Sequence, residues 1–162
     1  MKKLLPILLV LTLANCSLLK KEPSFLFVQS GKTATFDGKV LKINDIQKRI
    51  TYFSDRPDRI SGTMSNADFA KTWSSKKQKD SFKKDPPNSA VSYIDEKGNL
   101  GAAIVENSDL RMSKNSASYD VKILHGKLSK NMKDVTLFID NVCIPDCRSI
   151  ATLGYCTQRC FR

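Results

Sequence analysis

From residue 25 onward the apolar positions recur with the two-residue period of β-strands, and one short stretch alone has the wider spacing of a helix. Residues 25–28 are a short apolar run, and 33–36 and 39–43 flank Asp37 and Gly38, a dipeptide that favours a tight hairpin turn. Gly31 is a second turn signal. Further strands are expected over 50–53, 90–94, 101–105, 117–124 and 135–139. In the fourth of these, Tyr119, Val121 and Ile123 alternate with Asp120, Lys122 and Leu124, as a half-buried strand requires. A helix is expected over 66–73, where Ser65 can cap the first turn and Phe69 and Trp73 fall on one face. Seven or eight short strands, with no internal repeat and no alternation with long helices, predict a mostly all-β chain. The expected architecture is an antiparallel β-sandwich over residues 25–141 with one short helix.

The first 24 residues do not fit that pattern. Lys2 and Lys3 precede an uncharged stretch over 4–14, eleven residues that cover about half of a bilayer core, as in a signal sequence and unlike a spanning helix. Leu13-Ala14-Asn15-Cys16 resembles the lipobox of bacterial lipoproteins, with Asn15 in place of the usual Gly or Ala. The resemblance implies a signal peptide over 1–15, acylation of the Cys16 thiol, and a lipidated tether over 16–24. Several acyl chains on one cysteine are enough for stable anchoring, since each buried CH₂ contributes about 0.8 kcal/mol. Ser17, which is not Asp, implies sorting to the outer membrane of a Gram-negative cell.

The other four cysteines, Cys143, Cys147, Cys156 and Cys160, lie in the last twenty residues with the spacing C-x3-C-x8-C-x3-C. An even number in an exported chain predicts disulfides, with three possible connectivities. Pro145 and Asp146 suit a first helical turn and Gly154 a stop, so a helical hairpin over 142–162 is expected. In such a hairpin the nested pairs Cys143–Cys160 and Cys147–Cys156 are the natural ones. A four-thiolate zinc site is the rival, disfavoured by the spacing and by the oxidising compartment. No metal and no cofactor is expected.

The chain has 27 Lys and Arg against 16 Asp and Glu, a formal charge of +11, and removal of Lys2 and Lys3 with the signal leaves +9. Such a surface favours anionic partners. Six lysines, Lys76, Lys77 and Lys79 among them, lie between positions 71 and 84, near Phe69, Trp73 and Phe82. Nucleic acid is an unlikely natural partner for an exported chain; an anionic envelope glycan, a lipid or an acidic protein fits better.

Residues 52–62, Tyr-Phe-Ser-Asp-Arg-Pro-Asp-Arg-Ile-Ser-Gly, are followed by Phe69 and Trp73 and then by Asp85-Pro86-Pro87-Asn88-Ser89-Ala90. This string resembles a family of small exported bacterial and algal proteins with a YFSDRPxR element, an F-x-x-x-W helix and a DPPN element. The likeness covers about residues 25–140 and implies one exported domain, with no activity attached. Arg56 and Arg59 have the chemistry of an anion clamp, because guanidinium groups bind carboxylate, sulfate or phosphate bidentately. The reading the spacing favours is a local network in which Asp55, Asp58 and the arginines satisfy one another and meet Asp85 and Asn88. His125, the single histidine, lies at a strand end beside Gly126, and no nucleophile elbow, metalloprotease or phosphate-loop motif is present. The sequence therefore predicts a non-catalytic, lipid-anchored binding module. The alternatives are a small hydrolase using Asp55, Asp58 and Asp85, and a purely structural envelope protein.

Overall fold

Asp37 and Gly38 reverse the chain because the Asp37 carboxylate accepts the backbone N–H groups of Lys39 (2.8 Å) and Val40 (2.7 Å). Gly38 takes a φ of 104°, which a side chain would resist. The strands joined by this turn are β1 (Phe25–Phe36) and β2 (Val40–Ile46) of a computed structural model that describes residues 25–74 and 82–140. After Gln47 and Lys48 the line of β2 continues as β3 (Arg49–Ser54), so one edge of β1 is shared end to end by two strands. Then come β4 (Ser61–Ser65), α1 (Asn66–Ser74), β5 (Asn88–Asp95), β6 (Leu100–Met112), β7 (Ser116–Gly126) and β8 (Asn131–Ile139).

All pairings are antiparallel, and β2 pairs with β7 as well as with β1. That second pairing closes β1, β2, β7, β6, β5 and β8 into a six-stranded barrel, with β3 and β4 continuing the sheet beyond β1. The expected sandwich is thus corrected to a barrel, since the two sheet edges meet and no second layer forms. Three further local expectations change. Gly31 lies inside β1, not in a turn; β4, a Ser-Gly-Thr-Met-Ser segment without an apolar rhythm, is an additional strand; and Ile123 is 38% exposed. The β6–β7 register shifts between Ile104 and Val105, which takes the end of β7 out of simple alternation. The helix matches its expected range. Ser65 Oγ accepts the Asp68 N–H (3.1 Å) and donates its own proton to the Asp68 carboxylate (2.7 Å), a reciprocal cap.

The inward face changes parity partway along several strands. In β1 it passes from Phe27 and Gln29 to Ala34, in β8 from Leu137 and Val135 to Met132, and in β2 from Ile46 to Ile43 and Leu41. Asp134 (φ 47°) and Asp45 (φ 50°) sit at two of these switches, and Asp109 (φ 40°) at a like point in β6. Aspartate tolerates the left-handed region better than most residues and so lets a strand coil there. In β1 the switch is at Gly31, where a Cβ would stand 2.7 Å from the Asn44 carbonyl oxygen and 2.5 Å from Ile43 Cγ2.

One end of the barrel is closed by aromatic side chains. Phe69 on α1 packs on Phe27 (centroids 5.3 Å), Trp73 packs on Tyr119 (5.4 Å), and Phe82 stacks on Trp73 at 4.3 Å and 5°. The helix packs against β3, β4 and β6, so it lies between the β3–β4 extension and the barrel strand β6. The interior also holds polar groups: Tyr119 donates to Gln29 Oε1 (2.6 Å) and Asn107 Nδ2 donates to Ser89 Oγ (2.7 Å). The C-terminal hairpin with Cys143, Cys147, Cys156 and Cys160, and the signal and tether with Cys16, lie outside the described residues.

Because the Asn44 carbonyl is backbone in a paired strand, it cannot yield to a new methyl group. Gly31→Ala is expected to destabilise the chain by about 1–3 kcal/mol in chemical denaturation. An unchanged midpoint would mean that β1 and β2 part there without loss.

Candidate functional site

The Asp55–Arg59 motif forms the turn between β3 and β4, and backbone contacts hold its shape. Ser54 N–H donates to the Ile60 carbonyl (2.8 Å), Ile60 N–H to Ser54 Oγ (2.8 Å), and Arg59 N–H to the Asp55 carbonyl (3.2 Å). The Asp55 carboxylate accepts the Arg56 N–H (2.7 Å), the Arg56–Pro57 peptide is cis, and Arg59 has a φ of 48°. Asp55, Arg56 and Arg59 are exposed and Asp58 is half-buried.

The second motif lies at the same end of the barrel. Ser54 pairs with Phe25, Phe27 with Ile139, and Ile139 with Ser89, so the β3 turn and the 82–88 loop flank the ends of β1 and β8. Two strands intervene, a separation of about 14 Å at ordinary strand spacing. The ion pairs among the described residues are Lys39–Asp120, Lys71–Asp68 and Arg111–Asp120. The network expected between Asp55, Asp58, Asp85, Asn88 and the two arginines is not formed among those residues. Asn88 instead uses its carbonyl to accept the Asp140 N–H (2.9 Å), and Pro87 accepts the Asn107 N–H (2.9 Å). Asp85 is likewise apart from Asp55 and Asp58, so the three carboxylates of the hydrolase reading do not share one loop.

Lys76, Lys77 and Lys79 lie outside the described residues, but Trp73 and Phe82 on either side of their segment are stacked together at this barrel end. Lys83 and Lys84 are exposed beside them. His125 is exposed near the end of β7, opposite Ile104. Among the described residues no three His, Cys, Asp or Glu side chains are grouped as a metal site would need, and no helix is long and apolar enough to cross a membrane.

A feature outside both motifs is an apolar row on the outer face of the barrel. Phe53 pairs with Leu26, one strand away; Val28 pairs with Phe138, Phe138 with Ala90, and Ala90 with Ile104. All six point away from the core, with Phe53 42%, Phe138 37% and Ile104 38% exposed. Its sequence signal is the consecutive apolar run, Leu26 to Val28 or Leu137 to Ile139, where a half-solvated strand would alternate. Toward the barrel middle the row is bounded by Ser30 and Thr136, hydrogen-bonded at 3.0 Å, and by Ser92. The opposite wall, β2 and the β7 residues paired with it (116–120), is polar outside, whereas farther along β7 Ile123 and Leu124 are exposed. Asp120 is held there by Arg111, which donates to it, and by Lys39 at 3.6 Å.

The Arg111 guanidinium holds the Asp120 carboxyl below the ordinary aspartate value, with the nearby Lys39 charge acting in the same direction. Asp37 is lowered by the Val40 and Lys39 N–H groups, Asp68 by the Ser65 hydroxyl and Lys71, and Asp95 by the Asn99 side-chain and backbone N–H groups. Burial pushes the Tyr119 hydroxyl upward.

No family model, no curated protein and no solved structure matches the chain.

The four lowered carboxyls predict an acid limb of stability. A depressed folded-state value means that the contribution is present above the unfolded value near 3.8 and is lost as pH falls through the folded one. Asp120→Asn is expected to make denaturation midpoints fall less steeply below about pH 4 than in the parent chain. A limb of equal slope would show that Asp120 contributes nothing to it.

Proposed function

We propose that the chain is a lipid-anchored cell-envelope protein that works as a non-catalytic binding module for an anionic component of the envelope. The observation that carries this reading is the pair Arg56 and Arg59. Both are exposed, on a turn whose shape is set by backbone hydrogen bonds, and neither is ion-paired among the described residues. Their backbone N–H groups hold the turn, but their guanidinium groups take no part in it and are available to a phosphate or carboxylate. Asp55 and Asp58 share their turn, so a net positive charge would have to come from elsewhere, and the sequence supplies it in the six lysines between 71 and 84. Anchoring is proposed through Cys16, with two disulfides among Cys143, Cys147, Cys156 and Cys160.

Intact mass of the chain recovered from membranes tests the anchor: acyl mass on a chain starting at Cys16 is expected, with four hydrogens gained on reduction. A chain without acyl mass overturns anchoring. For the binding end, Arg56→Ala with Arg59→Ala is expected to weaken capture on immobilised lipopolysaccharide at least tenfold, with Tm within about 2 °C of the parent. Reduced Tm with undiminished capture would make the arginines structural and end their role in binding.

A further inference from the structure

We infer that the apolar row across β3, β1, β8, β5 and β6 is the face with which the barrel lies on the bilayer that holds its anchor. The inference rests on the anchoring reading above and adds to it an orientation and a contact surface.

Three observations carry it. The first is position. A tether over 16–24 has nine residues and reaches about 30 Å at full extension, so the barrel stays close to the membrane. The tether enters β1 at Phe25, and Leu26 is already a member of the row. The end of the row at Leu26 and Phe53 therefore lies within reach of the anchor.

The second observation is the one-sidedness of the wall. Strands that are packed on one face and solvated on the other are polar outside, as β2 and the first half of β7 are with Lys42, Asn44, Ser118 and Asp120; the far end of β7, where Ile123 and Leu124 are exposed, lies next to Ile104 at the edge of the row. Phe53 opposite Leu26, then Val28 two residues along β1 opposite Phe138, and Ala90 between Phe138 and Ile104 break that rule and form one stepped band across the five strands.

The third is the arrangement of charge. Arg56 and Arg59 follow Phe53 within a few residues on the same strand end, and Lys83 and Lys84 lead into β5, two residues of which flank the row. The border also holds Asp55, Asp140 and Glu106, and arginine and lysine side chains beside an apolar row match the boundary between acyl chains and phosphate headgroups. On this geometry the row enters the interface while the guanidinium groups meet lipid phosphates. The polar β2–β7 wall with its Asp120 ion pairs faces away into solvent.

The test uses the full chain, expressed in a Gram-negative host, purified from membranes and reconstituted in phosphatidylethanolamine–phosphatidylglycerol vesicles. Two variants each add one tryptophan, Phe138→Trp in the row and Lys42→Trp on the opposite wall; the native Trp73 is buried and serves as the constant background. With brominated phospholipid in the vesicles, emission from Phe138→Trp is expected to fall at least twofold relative to Lys42→Trp. Chain that floats with the vesicles but shows equal quenching at the two positions overturns the bilayer-contact inference and leaves the anchor standing. Unacylated chain that does not float alone overturns the anchor; if it then still binds added vesicles with quenching at Phe138→Trp, the row stands as a membrane face without it. A concentration-dependent dimer abolished by Phe138→Asp, with no quenching, assigns the row to a second copy of the chain and overturns the inference.

Discussion

Closure of the barrel depends on a single strand with three neighbours. β1 gives one whole edge to β8 and divides the other between β3 and β2, and the division falls near Gly31. An antiparallel sheet whose strands coil strongly enough will meet its own edge, and here the coiling is concentrated where the inward face changes parity. Gly31 lets the β2 backbone approach, while Asp45 and Asp134 take the left-handed conformation at the matching points of β2 and β8. Without that local turn the edge of β2 would not be available to β7, and the eight strands would remain an open sheet.

Closing one part of the sheet opens another. Because β3 and β4 continue past the barrel on the edge of β1, the end of the barrel nearest them lacks strands on one side. The α1 helix fills that space with Phe69 and Trp73, and Phe82 completes the cluster from the far side of the lysine segment. Phe69, Trp73 and Phe82 contact one another and Phe27 joins them through Phe69, and burial of rings of this size is among the larger favourable contributions in a small domain. The same cluster sets where the lysine segment emerges. The barrel end that carries Arg56 and Arg59 is thereby also the end from which the basic segment departs.

The two proposed roles are tied together by this geometry. An exposed basic end and an exposed apolar band are each unremarkable alone, since charged turns are usually solvated and single surface apolar residues are common. Here Phe53 belongs to the band and precedes the turn that carries Arg56 and Arg59, so the two surfaces adjoin. The interior tells a different story, with Gln29, Ser89, Asn107 and Tyr119 hydrogen-bonded within the core and serving its architecture.

Much of the local structure was legible in the residues. Asp37 and Gly38 identify their turn through side-chain chemistry contained in four residues, and Ser65, Phe69 and Trp73 identify a helix through a cap and a spacing that need no distant partner. The strand character of the chain likewise follows from local alternation. Strand β4 was not legible, because Ser61 to Ser65 is held as a strand by pairing with β3 and carries no apolar rhythm of its own. The choice of a barrel over a sandwich was equally out of reach, since it turns on whether β2 meets β7, residues about eighty positions apart. At the candidate site, sequence proximity placed Asp55, Arg56, Asp58 and Arg59 in one turn, and the sheet order alone decided that β1 and β8 stand between them and Asp85. What the sequence determined by itself was therefore whatever depends on a few adjacent residues: turns, one capped helix, and the periodicity of strands. The tertiary structure decided strand order, closure, and which apolar residues point outward into a common band, because those depend on register between segments far apart in the chain.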